Sequence, residues 1–181
     1  MSKASDTFAE AIMDAENLLR HFNTLNLKPP PPELEVLKRA GLIMAMTAWE
    51  TYVEDRLEEA TAERLEGLTD RSIVEFVESR LAEEIKRLHN PDSGKTIRLF
   101  RDYVDVDLEI CWCWNNFDFK TVRKRLDTYI RLRGDVVHRS RPAEQGAPKS
   151  HLVRKVDLEK AISFLKNLVE ATERGLLAIC R

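Results

Sequence analysis

Arg131-Leu132-Arg133-Gly134-Asp135-Val136-Val137-His138 closes a run that begins at Asp118 and reads as one basic amphipathic helix. Asp118 is placed to cap it. Val122, Leu126, Tyr129, Ile130 and Val137 recur at the spacing of a core-facing helix stripe. In a helix, Arg133 and His138 lie five residues apart, about 140° around the axis. Arg131 and His138 lie seven apart and nearly eclipse. Either arginine can reach a phosphate bound beside His138. A guanidinium is a permanent cation, and an imidazole exchanges a proton near pH 7. Such a pair suits phosphodiester cleavage: the imidazole takes a proton from a ribose 2′-OH, and the guanidinium holds the charge that builds on phosphorus. The competing reading is an exposed helix end, with solvated arginines and a histidine that stabilises the helix C-terminus.

Working outward, the chain reads as helix almost throughout. Asp6 is placed to cap a first helix over 6–23, with Phe8, Ile12, Ala15, Leu18 and Leu19 inward. Leu27, Lys28 and the run Pro29 to Pro32 form a stiff connector. A long helix over 33–66, roughly 50 Å at 1.5 Å per residue, follows. Its middle, Ala40 to Tyr52, is apolar nearly all round and belongs in the core. Glu50 lies in that apolar stretch and needs a buried partner, for which an arginine of the basic helix is the natural candidate. The acidic half, Glu54 to Glu66, reads as a solvated face laced with ion pairs, or as a docking surface for a basic partner. Gly67 ends this helix. Thr69 or Asp70 starts another, to about His89, with Ile73, Phe76, Val77, Leu81, Ile85 and Leu88 buried. Asn90 to Gly94 is a turn, and Lys95 to Arg101 a short helix. Arg141 to Ser150 is a loop. Asp157 caps a final helix to about Ile179, facing Leu158, Ala161, Ile162, Leu165, Leu168, Val169 and Leu176 inward.

The 181 residues suit one domain, 1–181, with its core over about 33–177. Few breakers (6 Gly, and 7 Pro of which four form one run) favour an all-α protein. No apolar run approaches the roughly 20 residues that cross a membrane, and the N-terminus does not read as a signal peptide. A cytoplasmic protein is the default expectation. The overall charge of −2 hides a division. Residues 50–84 hold 12 Asp/Glu against 4 Arg, whereas 120–141 hold 8 Lys/Arg against 2 Asp. A basic segment of that kind attracts a polyanion or an acidic neighbour.

Other signals are weaker. Three cysteines give no disulfide framework. Cys111 and Cys113 have no second Cys/His pair at zinc-finger spacing. Gly94-Lys95-Thr96 has His89 where a phosphate-binding loop needs glycine. Trp112, Trp114, Phe117 and Phe119 either stack bases or plug the bundle end ahead of the basic helix. His21, His89 and His151 read as solvated.

In their order and spacing these motifs resemble the HEPN superfamily, in particular its RiboL-PSP-type branch. The first match is the Arg-x4-His signature, Arg133 to His138, after Leu126-Asp127-Thr128-Tyr129-Ile130. The second is Met46-Thr47-Ala48-Trp49-Glu50-Thr51-Tyr52-Val53-Glu54 in the long helix. The third is Asn90-Pro91-Asp92, then Ile97-Arg98-Leu99-Phe100 and a Trp-containing stretch. Two positions depart from the pattern: Gly134 stands where a polar residue such as Asn is usual, and Arg139 where Gly is frequent. A glycine inside a helix costs about 1 kcal/mol relative to alanine, so Gly134 reads as a bend or a close helix approach. The resemblance implies an up-and-down bundle of about five to six helices that dimerises through the signature helix. It implies a metal-independent endoribonuclease, with His138 as general base or acid and Arg133 as phosphate contact. Arg131, Arg139 and Arg141 would guide the RNA backbone, and Asp135 and Glu50 would support the site. No metal or organic cofactor is implied, and the products would carry 2′,3′-cyclic phosphate and 5′-OH ends. Prokaryotic toxin, defence or RNA-processing proteins of this type work with RNA and sometimes with an antitoxin or other protein partner. The alternative is a catalytically inactive RNA-binding or protein-interaction module.

Overall fold

A computed structural model describes residues 2–25, 27, 31–138 and 152–179, with backbone alone at 138 and 179. Among these residues there are seven α-helices and no strand. They are α1 (Lys3–Leu25), α2 (Glu35–Leu65), α3 (Arg71–Lys86), α4 (Ser93–Leu99), α5 (Leu108–Cys111), α6 (Phe119–His138) and α7 (Lys155–Ile179). The chain is all-α, as its periodicity predicts. The single-turn α5 is the element absent from the expected five to six. The expectations for Lys28 to Pro30, for the loop 141–150, and for Arg139, Arg141, His151 and Cys180 lie outside the described residues.

α2 is the hub, packed on α1, α3, α6 and α7. Its 31 residues span roughly 46 Å. Gly41, Leu42, Ala45, Met46, Ala48, Trp49, Tyr52 and Val53 are buried, as the apolar middle of the helix requires. α1 lies antiparallel on α2. The backbone N–H of Ala4 donates to the Glu59 carboxylate (3.2 Å) near the end of α2. At the other end, the Lys38 ammonium sits 4.7 Å from the Phe22 ring centroid. α7 runs parallel to α2. Leu158 lies so close to Gly41 that a Cβ there would come within 2.8 Å of its Cδ2. Further along, Glu173 accepts from Tyr52 Oη (2.9 Å) and from Arg56 Nε (3.0 Å). Burial and the Glu173 carboxylate hold the Tyr52 phenol well above its usual pKa.

Several local expectations are corrected. α1 starts earlier than Asp6: the Ser2 hydroxyl accepts from Ser5 N–H (3.0 Å) and is the cap. Asp157 is not an N-cap but sits inside α7, and its carboxylate reaches back to the Arg154 N–H (3.2 Å). In α3 only Leu81 is buried; Ile73 and Phe76 are 51% and 66% exposed. The first half of α3 lies at the surface beside the end of α2, where Phe76 and Val77 border an open groove with Leu65 and Tyr103. The acidic half of α2 is not simply a solvated face. Glu59 caps α1, and Glu63 pairs with buried Arg56 (3.4 Å). Half-buried Glu54 has its carboxyl pKa raised by burial first and by Glu50, Asp55 and Glu58 next.

The aromatic segment before α6 plugs the bundle. Trp112 is fully buried, donates from Nε1 to Thr172 Oγ1 (2.9 Å) and meets Trp49 edge-on. Trp114 and Phe117 form a single antiparallel bridge, stack at 5.4 Å and pack on Phe164.

Candidate active site

Asp118 starts α6 as expected, its Oδ1 accepting from Thr121 N–H (2.8 Å). Val122, Leu126, Tyr129 and Val136 are buried. Val137, expected in the core, is 52% exposed, and Ile130 is half-buried. The observed stripe 122, 126, 129, 136 has one position left between its last two members, and Arg133 occupies it. A guanidinium on a core-facing stripe is unstable without a counter-charge and hydrogen-bond acceptors.

Both are present. Arg133 Nη1 lies 3.1 Å from Glu50 Oε2, with the two side chains only 20% and 17% exposed. The same Nη1 donates to Asn90 Oδ1. Asn90 in turn donates its backbone N–H to Glu50 Oε1 (2.8 Å). The three residues close a ring of contacts between α2, the turn after α3, and α6. The expectation that Glu50 meets an arginine of the basic helix is met, and the arginine is Arg133.

The turn is shaped for this. Asn90 has φ 53°, a left-handed conformation that asparagine tolerates better than most residues. Its neighbour Pro91 accepts from Trp49 Nε1 (3.0 Å). Consecutive residues of α2, Trp49 and Glu50, therefore grip consecutive residues of the turn. Lys95 Nζ donates to the His89 carbonyl (2.6 Å) and secures the other side. Asp92 caps α4 through Lys95 N–H (2.8 Å). Asp127 of α6 then fastens α4 by accepting from Ser93 N–H (2.9 Å) and Ser93 Oγ (3.0 Å).

Asn90, Ser93 and Asp127 were not singled out as site residues. Asn90 and Asp127 entered only as parts of longer motifs, and Ser93 only as part of the turn Asn90 to Gly94, which resembles many surface turns. Arg131 points elsewhere: it is exposed, and its Nε donates to the Asp127 carbonyl (3.3 Å). Asp135 is half-buried one turn from Arg131. α6 continues through Gly134, and among the described residues nothing lies within 4 Å of a Cβ built there, so it does not mark a close helix approach. His138 is the last residue of α6, and its side chain lies outside the described set. Among the described residues no group of His, Cys, Asp and Glu is arranged to hold a metal ion, and no helix is long and apolar enough to cross a membrane.

The family model for RiboL-PSP-HEPN matches residues 10–178, from α1 almost to the end of α7. The chain belongs to the RiboL-PSP-HEPN family. No curated protein and no solved structure matches it. The HEPN match takes in every element that builds the Glu50–Asn90–Arg133 ring, and α6 through to His138.

Proposed function

We propose that this HEPN protein is a metal-independent endoribonuclease that acts as a homodimer. The observation that carries the reading is the brace on Arg133. A permanent cation is pinned at 3.1 Å from Glu50, five residues before a histidine at the end of the same helix. A guanidinium has five N–H donors. Both described contacts fall on Nη1, so an arginine braced from within can still offer donors to a phosphate.

In this mechanism His138 takes the proton of a ribose 2′-OH, and the 2′-oxygen attacks phosphorus. Arg133 stabilises the charge on the non-bridging oxygens. The 5′-oxygen leaves with a proton from a second imidazolium, giving 2′,3′-cyclic phosphate and 5′-OH ends. One chain supplies one such histidine, so base and acid together call for two copies of α6 facing one cleft. Asp135 and Glu50 support the pair, and Arg131, Arg139 and Arg141 steer the RNA backbone. The biological setting that fits is a prokaryotic toxin, defence or RNA-processing role, with an antitoxin or other protein as regulator.

The Glu50 carboxylate also favours a second reading, because it offsets the charge that Arg133 would lend to a transition state. A module of that kind would bind RNA or a protein without cleaving. The deciding experiment is digestion of labelled mixed-sequence RNA in excess EDTA by the native protein and by His138→Ala. Cyclic-phosphate ends from the native protein, with a rate loss of about 10²-fold or more in the variant, support the ribonuclease. Uncleaved RNA with a folded dimer supports the binding module.

A further inference from the structure

α6 carries its cations on two faces. At 100° per residue, Lys120, Lys124 and Arg131 fall within about 40° of one another. Position 138 joins that stripe, whereas Arg133 lies about 140° away from it, towards Glu50. The stripe, bordered by Arg123, forms one wall of an open groove of about 710 Å³. The other wall is the turn from Asp92 through Ser93 to Gly94.

Lys120, Arg123, Lys124 and Arg131 are all exposed. Asp127 is the one acid of α6 in the groove, and its carboxylate is already used on the Ser93 N–H and hydroxyl. The groove is thus a basic channel whose floor is tied down by Asp127. None of the described residues that line it is aromatic, so these residues offer charge and hydrogen bonds to a backbone rather than a platform on which bases stack.

Building on the ribonuclease reading, we propose that this α4–α6 groove is the track for the phosphate backbone of single-stranded RNA. From Lys120 to Arg131, the α6 residues that line the groove, the helix spans roughly 17 Å, enough for a few nucleotides, and position 138 lies about two turns further along the same stripe. Binding in the track is independent of base sequence. Whatever sequence preference cleavage shows is set elsewhere.

The test uses a fluorescent 2′-O-methyl RNA, which lacks the 2′-OH nucleophile, and measures anisotropy across a salt series. The protein is compared with a Lys120→Gln/Lys124→Gln double variant, and with Lys155→Gln/Lys160→Gln on α7 as a control. Two lost phosphate contacts on a single strand reduce the slope of log K against log salt by about 1.4. The double variant is expected to show that change, with affinity about tenfold weaker at low salt. The α7 control keeps native affinity, and a scrambled sequence binds equally well. Native affinity and slope in the Lys120/Lys124 variant, or an equal loss in the α7 control, overturn the track and leave the cleavage reading standing. A native protein that binds no oligonucleotide even at low salt overturns both.

Discussion

Arg133 replaces an apolar residue between Tyr129 and Val136, so its environment decides its energetics. A half-buried cation that loses its counter-charge keeps the desolvation cost and loses the attraction. Glu50→Gln retains an acceptor for Asn90 N–H but removes the charge beside Nη1. It is expected to lower the unfolding free energy by about 1–3 kcal/mol, read from denaturant melts. If Arg133 acts on RNA, cleavage falls as well because the guanidinium loses its brace. Pairing Glu50→Gln with Arg133→Met is expected to recover most of the stability without restoring cleavage. Native stability and native cleavage in Glu50→Gln alone would remove the brace from the mechanism.

At the scale of elements, α6 contains a glycine that packing does not require. Among the described residues nothing lies within 4 Å of a Cβ built at Gly134, so Gly134→Ala is expected to stabilise α6 by about 1 kcal/mol, visible as a raised melting temperature. A more stable variant with impaired cleavage would show that RNA or the second α6 approaches the backbone there. Carboxylates at helix N-terminal ends make a separate prediction. Hydrogen bonds from Ser72, Thr121 and Arg154 hold the Asp70, Asp118 and Asp157 carboxyls below the usual carboxylate range. A lowered folded-state pKa adds stability that is complete above the unfolded value, near pH 4, and is lost as pH falls through the folded value. Melting temperature is therefore expected to drop from pH 5 towards pH 2, with a shallower drop in Asp118→Asn.

The same elements show what periodicity reveals. The core stripes of α1, α2 and α7 were legible because those helices are buried along their length, so spacing and burial coincide. In α3 they part company: Ile73 and Phe76 keep helical spacing but stay exposed. In α6 the phase shifts by one residue, from Val137 to Val136, because a charged residue fills a core-facing position and hydrophobicity alone cannot register it. Glu50 was legible as a misfit in an apolar helix. Asn90 was not, since its role depends on a left-handed backbone and on two helices distant in sequence.

For the whole molecule, α2 sets the geometry, because it grips the turn at Asn90 and Pro91 while α6 is held to both. The proposed composite site needs two such molecules. Specific cleavage activity is then expected to fall on dilution through the dimer dissociation constant, in step with the sedimentation coefficient. Activity that stays constant per molecule across that transition would argue for a site complete within one chain.

The close approach of α5 to α7 has a practical consequence. A Cβ on Gly175 would come within 2.4 Å of Cys111 Sγ, and burial pushes that thiol up to about 11. At neutral pH Cys111 therefore stays a thiol rather than the reactive thiolate, and its sulfur has a neighbouring backbone where a reagent would need room. Cys113, two residues on, is exposed. Of these two cysteines, a maleimide dye or spin label is expected to select Cys113, placing a reporter beside the Trp114–Phe117 bridge while Cys111 stays native.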